Sequence, residues 1–142
     1  MTIAAIIGPG GQSVYTAAQS ESVSEVVTRL AEHRIGALPV VEGGAVVGIF
    51  SERDIVYGVA RHGSAFLAKT VGEVMTSPAV TVTADTAILS ALSMMTKRRI
   101  RHLPVVENGR LTGFVSIGDL VKHRIEKIEA EASAMRDYIQ MT

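Results

Sequence analysis

Apolar residues along this chain fall into two rhythms. Val23, Val26, Val27 and Leu30 recur at the spacing of one helical face, with polar residues between them. Two short apolar runs follow, Ala37 to Val41 and Ala45 to Phe50, parted by Glu42-Gly43-Gly44. Runs this short, bounded by turn residues, predict a hairpin. The order then returns. Ile88, Ala91, Leu92 and Met95 carry the helical stripe, and His102 to Val106 and Leu111 to Val115 flank Glu107-Asn108-Gly109. Asn-Gly readily adopts the positive backbone angles of a tight turn. Each half also predicts a first short strand, Ser13 to Thr16 and Val80 to Thr83, and a second helix starting at Ser51 and at Ser116.

The return is a duplication. Arg34-Ile35-Gly36-Ala37-Leu38-Pro39-Val40-Val41-Glu42 reappears as Arg99-Ile100-Arg101-His102-Leu103-Pro104-Val105-Val106-Glu107, and Gly44, Gly48, Ser51, Asp54 and Val56 reappear as Gly109, Gly113, Ser116, Asp119 and Val121. One offset of 65 residues relates every pair without a gap. Chance apolar similarity would not hold Pro, Gly, Ser and Asp in one register. The fold class expected is α+β, sandwich-like: two pseudo-symmetric repeats, each a small β-sheet with two packed helices, at 8–63 and 72–128. A C-terminal helical extension follows at 129–142, and the final stretch of chain sets Ile125, Ile128, Ala132, Met135 and Ile139 on one helical face, to pack against the body or a second subunit. Ser20 and Asp85 are aligned as helix caps, while Ser22 with Glu25 forms a rival capping box.

Composition narrows the classes of function. The 142 residues are 47% hydrophobic and 20% charged, which describes a globular chain. Either half alone would bury too little apolar surface, so shared packing is expected. Fourteen basic residues balance fourteen acidic ones, giving no reason to expect a nucleic-acid partner. There is no cysteine, which removes disulfides and thiolate metal sites and suits a reducing compartment. No stretch approaches membrane-spanning length and the short apolar start lacks the form of a signal peptide, so the cytoplasm is the expected location.

Candidate chemistry gathers at the repeated Ser51-x-x-Asp54 and Ser116-x-x-Asp119. A serine at a helix start with an acid one turn on is a capping pattern. It is also a donor and acceptor set for a small ligand, and the two roles are compatible. Gly8-Pro9-Gly10-Gly11 lacks the Gly-Lys-Ser/Thr of a phosphate loop and reads as a linker. His33, His62 and His123 read as surface or boundary residues, and the four histidines together show no metal-ligand spacing. Lys97-Arg98-Arg99 suits a solvated helix end, and Met94-Met95 suits core packing. Arg101, standing where repeat one has Gly36, either faces an anion or joins that solvated cluster.

The Leu-Pro-Val-Val segments, the glycine turns and Gly-x-x-Ser-x-x-Asp at Gly48 to Asp54 and Gly113 to Asp119 resemble a tandem pair of cystathionine-β-synthase (CBS) domains, a Bateman module of the stand-alone bacterial type. The resemblance spans roughly Val14 to Arg124. It implies two clefts for adenosine-containing ligands such as AMP, ADP, ATP, NAD or S-adenosylmethionine, with Asp54 and Asp119 accepting ribose hydroxyls. By the cross-repeat pairing it implies, one cleft joins Ser51, Arg53 and Asp54 to Val80, Ile100, Arg101 and His102. The other joins Ser116, Gly118 and Asp119 to Tyr15, Ile35, Gly36 and Ala37. It further implies a regulatory module without catalytic cofactor or metal, working as a homodimer on a protein target; the alternative is a structural dimerisation module with empty clefts.

Overall fold

Helix starts and turns follow from local chemistry, and the computed structural model describes residues 1–141. A short helix α1 (Ala4–Ile7) precedes repeat one, which holds α2 (Val23–His33), β1 (Ala37–Glu42), β2 (Ala45–Ser51) and α3 (Glu52–His62). A 3-10 turn (Gly63–Ala68) and α4 (Val71–Val74) connect to repeat two, with α5 (Ile88–Arg98), β3 (His102–Glu107), β4 (Arg110–Ser116) and α6 (Ile117–Met141). Ser22 caps α2, its Oγ accepting the Glu25 N–H at 3.1 Å, which is one half of the expected capping box, and Ser20 lies in the turn ahead of it. Asp85 does not cap either. Helix α5 has Ala87 as its N-cap, with no side-chain cap bond, and the Asp85 carboxylate accepts the Thr83 hydroxyl instead.

Both hairpins form as expected, through two-residue turns with positive φ: 59° and 84° at Gly43-Gly44, 52° and 76° at Asn108-Gly109. Two positive angles match the twist of antiparallel strands. Each hairpin carries a bulge, between Val40 and Val41 and between Val105 and Val106.

The predicted first strands shrink to single parallel bridges, Ala17 with Val40 and Val82 with Val105. In repeat one the bridge lies one residue past the expected run. Proline explains the shortness. Ala17 donates to the Pro39 carbonyl at 3.1 Å and accepts from Val41 at 2.9 Å. Extending that parallel ladder toward Tyr15 would require an N–H from Pro39, which has none. Pro104 blocks the same step before Val82.

Each repeat has its own core, and neither is built only from its own segment of chain. Val23, Val26, Leu30, Leu38, Val40 and Phe50 are closed by Phe66 and Val71 of the connection. Ile88, Ala91, Met95, Leu103, Val105, Val115 and Leu120 are closed by Ile3 and Ile7 from the start of the chain. Two matching bridges hold these lids, Ser22 with Thr70 and Thr2 with Ala87. Met95 is buried and Met94 half-buried, as expected of core residues.

Helix α6 is one continuous element of 25 residues and buries only Leu120. Its apolar face, Ile125, Ile128, Met135 and Ile139, is 49% to 62% exposed, so packing against the body of this chain is not its role. Among the described residues, no helix is long and apolar enough to cross a membrane.

Candidate functional site

A cavity of about 280 Å³ opens where the start of α3 faces the start of β3. Repeat one contributes Ile49, Ser51, Glu52, Arg53 and Asp54, and repeat two contributes Ile100, Arg101 and His102. Thr76, Pro78, Ala79 and Val80 of the connection form the remaining wall, with Gly36 at the rim. The connection is fastened there by backbone bonds. Ile49 and Thr76 exchange both of theirs at 2.9 Å, and the Ser77 hydroxyl donates to the Val47 carbonyl at 2.9 Å.

Asp54 is the hub of the cavity. Its Oδ2 accepts the Ser51 backbone N–H at 2.9 Å and the Ser51 hydroxyl at 3.2 Å, while Oδ1 accepts the Thr76 hydroxyl at 2.9 Å. Arg53 reaches across to repeat two, donating from Nη1 to the Arg99 carbonyl at 3.0 Å. Arg99 closes α5 in the left-handed conformation, φ 54°, so Arg53 meets the negative end of that helix. His102 is half-buried and stacks on Phe114, ring centroids 5.4 Å apart. Burial pushes its imidazole below the ordinary value, and Arg101 adds to this; the Asp119 and Glu52 carboxylates pull the other way. His102 thus responds to charge from both Ser-x-x-Asp segments.

The second expected set is assembled differently. Ser116 and Asp119 form their cap, with the Ser116 N–H donating to Asp119 Oδ2 at 2.9 Å and the Asp119 N–H donating to Ser116 Oγ at 3.1 Å. Gly118 is exposed beside them. Tyr15 lies flat on His33, ring centroids 3.8 Å apart. Ala37 is buried, and Ile35 is half-buried against the core of repeat one. Gln12 replaces the backbone bridge seen in repeat one: its N–H donates to the Thr112 carbonyl at 2.9 Å and its Oε1 accepts the Phe114 N–H at 2.6 Å.

Comparison with known proteins places this arrangement. The model of the CBS domain matches twice, at residues 12–61 and 71–126. The chain belongs to the CBS-domain family. It is similar to the CBS domain-containing protein CBSX3, mitochondrial, of Arabidopsis thaliana, 36% identical over 125 residues, 84% of this chain. The chain spans only 61% of that relative's length. The crystal structure of the CBS-domain containing protein ATU1752 from Agrobacterium tumefaciens superposes with a TM-score of 0.82 at 39% identity, over 87% of this chain and 99% of that one. CBSX2 in complex with AMP superposes with a TM-score of 0.76 at 26% identity, over 88% and 96%.

Within the CBS pair, the seven residues expected at the Asp54 cleft all line one cavity: Ser51, Arg53, Asp54, Val80, Ile100, Arg101 and His102. Gly36, expected in the other set, also lines this cavity, where its carbonyl accepts the Glu52 N–H at 2.9 Å, the counterpart of the Ile117 N–H bond to the Arg101 carbonyl at 2.8 Å in repeat two. Sequence reasoning missed Ile49, Glu52, Thr76, Pro78 and Ala79. The signal for the last three was the Thr76-Ser77-Pro78-Ala79 segment immediately ahead of Val80. Among the described residues, no group of three His, Asp or Glu side chains is placed to hold a metal ion.

Proposed function

We propose that this CBS pair is a regulatory module without catalytic activity of its own, which binds an adenosine phosphate in the Asp54 cleft and passes the change to a protein partner. The observation that carries the reading is the single cavity joining the Ser51-x-x-Asp54 turn to Val80, Ile100, Arg101 and His102 of the other half. Val80, Ile100, Ile49 and Pro78 offer apolar surface to a base. Asp54 offers acceptors to a ribose diol, and Arg101 offers planar donors to a phosphate. The AMP carried by CBSX2 fits the same chemistry. ADP, ATP, NAD and S-adenosylmethionine share the adenosine part and are the competing ligands. We further propose a homodimer meeting through helical faces, acting in the cytoplasm.

Acceptor capacity suggests how binding would be transmitted. An ionised carboxylate has about four acceptor positions, and Asp54 uses three on Ser51 and Thr76. A diol bringing two donors takes the remaining position and displaces one present donor. Loss of the Thr76 bond would loosen the connection between the repeats.

The occupied state of Asp54 also favours a second reading, a structural module in which Ser51 and Asp54 only cap α3. A thermal-shift panel of AMP, ADP, ATP, NAD and S-adenosylmethionine separates the two. A ligand bound only by the native state adds about 2.7 kcal/mol at a hundredfold excess over its Kd. A raised Tm with at least one compound supports sensing. No shift with any at millimolar concentration leaves the structural module.

A further inference from the structure

Helix α6 leaves the body of the protein early. Leu120 is buried and His123, Arg124 and Lys127 are half-buried, but every residue from 128 to 141 is exposed. That segment extends about 21 Å at 1.5 Å per residue. Along it runs a seam that the body does not use. Val121, Ile125, Ile128, Ala132 and Met135 follow one another at intervals of four, three, four and three, and Ile139 continues the series after four. Val121, Ile125, Ile128 and Met135 are 41%, 49%, 49% and 59% exposed. A strict alternation of three and four is the 3.5-residue repeat of a left-handed coiled coil, which a helix packed only on a globular core does not need. Each residue turns the helix by about 100°, so the seam starting at Val121 lies roughly a quarter turn from the body-facing Leu120. A second helix can therefore approach without meeting the body.

Charge decides what that second helix is. With Ile125 and Ala132 at the first core position of each heptad and Ile128 and Met135 at the second, Arg124 and Glu131 precede the core, and Glu129 and Arg136 follow it. Two parallel copies in register bring Arg124 beside Glu129 of the second copy and Glu131 beside Arg136 of the second copy. Both contacts are of opposite sign and each occurs twice. An antiparallel pair that aligns the same core residues instead sets Glu129 against Glu129, Glu131 against Glu131, and Lys122 against Arg136. All three are repulsive.

We propose that α6 forms a parallel, in-register, two-stranded coiled coil with α6 of a second copy of this chain, from Val121 to Met135 and onward. This deepens the homodimer reading given above, fixing which elements meet and in which direction. The two copies are then joined repeat two to repeat two, leaving the Asp54 cavities of both outside the seam.

The chain contains no cysteine, so single-cysteine variants of the full chain report cleanly. In a parallel coil every core layer faces its own copy, so Ile125→Cys, Ala132→Cys and Met135→Cys should each give disulfide-linked dimers with an external oxidant. Asp137→Cys, on the outer face, should not. Only the layer on the dyad can link to itself in an antiparallel coil, so linkage at one of the three alone overturns the parallel direction. Linkage at none, with a dimer mass by light scattering, overturns the coil and leaves the homodimer standing; a monomer mass overturns both, and a trimer mass overturns the two-stranded assembly. Charge reversal is the second arm. Glu131→Arg should weaken dimerisation by about tenfold, and adding Arg136→Glu should restore it. Failure of the pair to restore dimerisation contradicts the in-register contact of Glu131 with Arg136.

Discussion

Asp54→Ala should destabilise the fold by about 2 kcal/mol, and Asp119→Ala by less than half of that, although the two aspartates occupy equivalent places in the repeats. The difference is in what each carboxylate holds. Asp119 is exposed and accepts the Ser116 N–H, a local cap within one turn of helix. Removing such a cap costs about 0.5–1 kcal/mol. Asp54 is half-buried, accepts both the N–H and the hydroxyl of Ser51, and also accepts Thr76 from the connection, 22 residues away. Its cap contributes about 1 kcal/mol. A hydrogen bond to a charged group contributes nominally about 1.5–3 kcal/mol, and water access to Thr76 reduces that to about 1. Urea unfolding followed by circular dichroism measures both variants; at a slope of about 2 kcal/mol per molar, the midpoint should fall by about 1 M for Asp54→Ala. A double-mutant cycle with Thr76→Ala should show a coupling of about 0.5–1 kcal/mol with Asp54. Equal losses at the two aspartates, or a cycle without coupling, would refute the long-range role of Asp54.

Other outcomes follow from the same geometry. Arg101→Ala should weaken AMP binding by about tenfold while leaving adenosine within a factor of two, and rising salt should weaken AMP alone, as calorimetric titration would show. His102 has a folded-state pKa below its unfolded value of about 6.5. The unfolded chain therefore binds more protons as pH falls through that range, and stability declines until the lowered folded value is passed. Urea midpoints between pH 8 and 5 should show this slope, reduced in His102→Ala; parallel curves for the two proteins would exclude the imidazole. Gly58→Ala should destabilise by about 1–3 kcal/mol despite alanine's better helix propensity, because the new Cβ would stand 2.0 Å from the Phe66 ring. Gly118→Ala, whose nearest neighbour is Ser116 Oγ at 3.6 Å, should be tolerated; a urea titration in which the two variants behave alike contradicts the packing.

Repetition and local physics make much of this protein legible in its amino-acid order. Helical spacing identifies α2 and α5, and Gly-Gly and Asn-Gly identify the hairpin turns. These features depend on neighbours within a few residues, and the duplication copies one environment onto another; the resemblance to a CBS pair, rather than local physics, named seven of the thirteen residues that line the Asp54 cavity. The short parallel bridges are also written in the chain, since Pro39 and Pro104 cannot donate to a longer ladder.

Which segments close which core is a matter of three-dimensional packing. Ile3 and Ile7 complete repeat two and Phe66 and Val71 complete repeat one, because those segments fill space left open by a distant part of the chain, and no periodicity encodes that complementarity. The two clefts likewise diverge through long-range contacts: Tyr15 is drawn onto His33, and Gln12 replaces a backbone bridge. Each residue's type and its own turn of chain set what it can offer; burial and pairing across the fold determine which partner receives it.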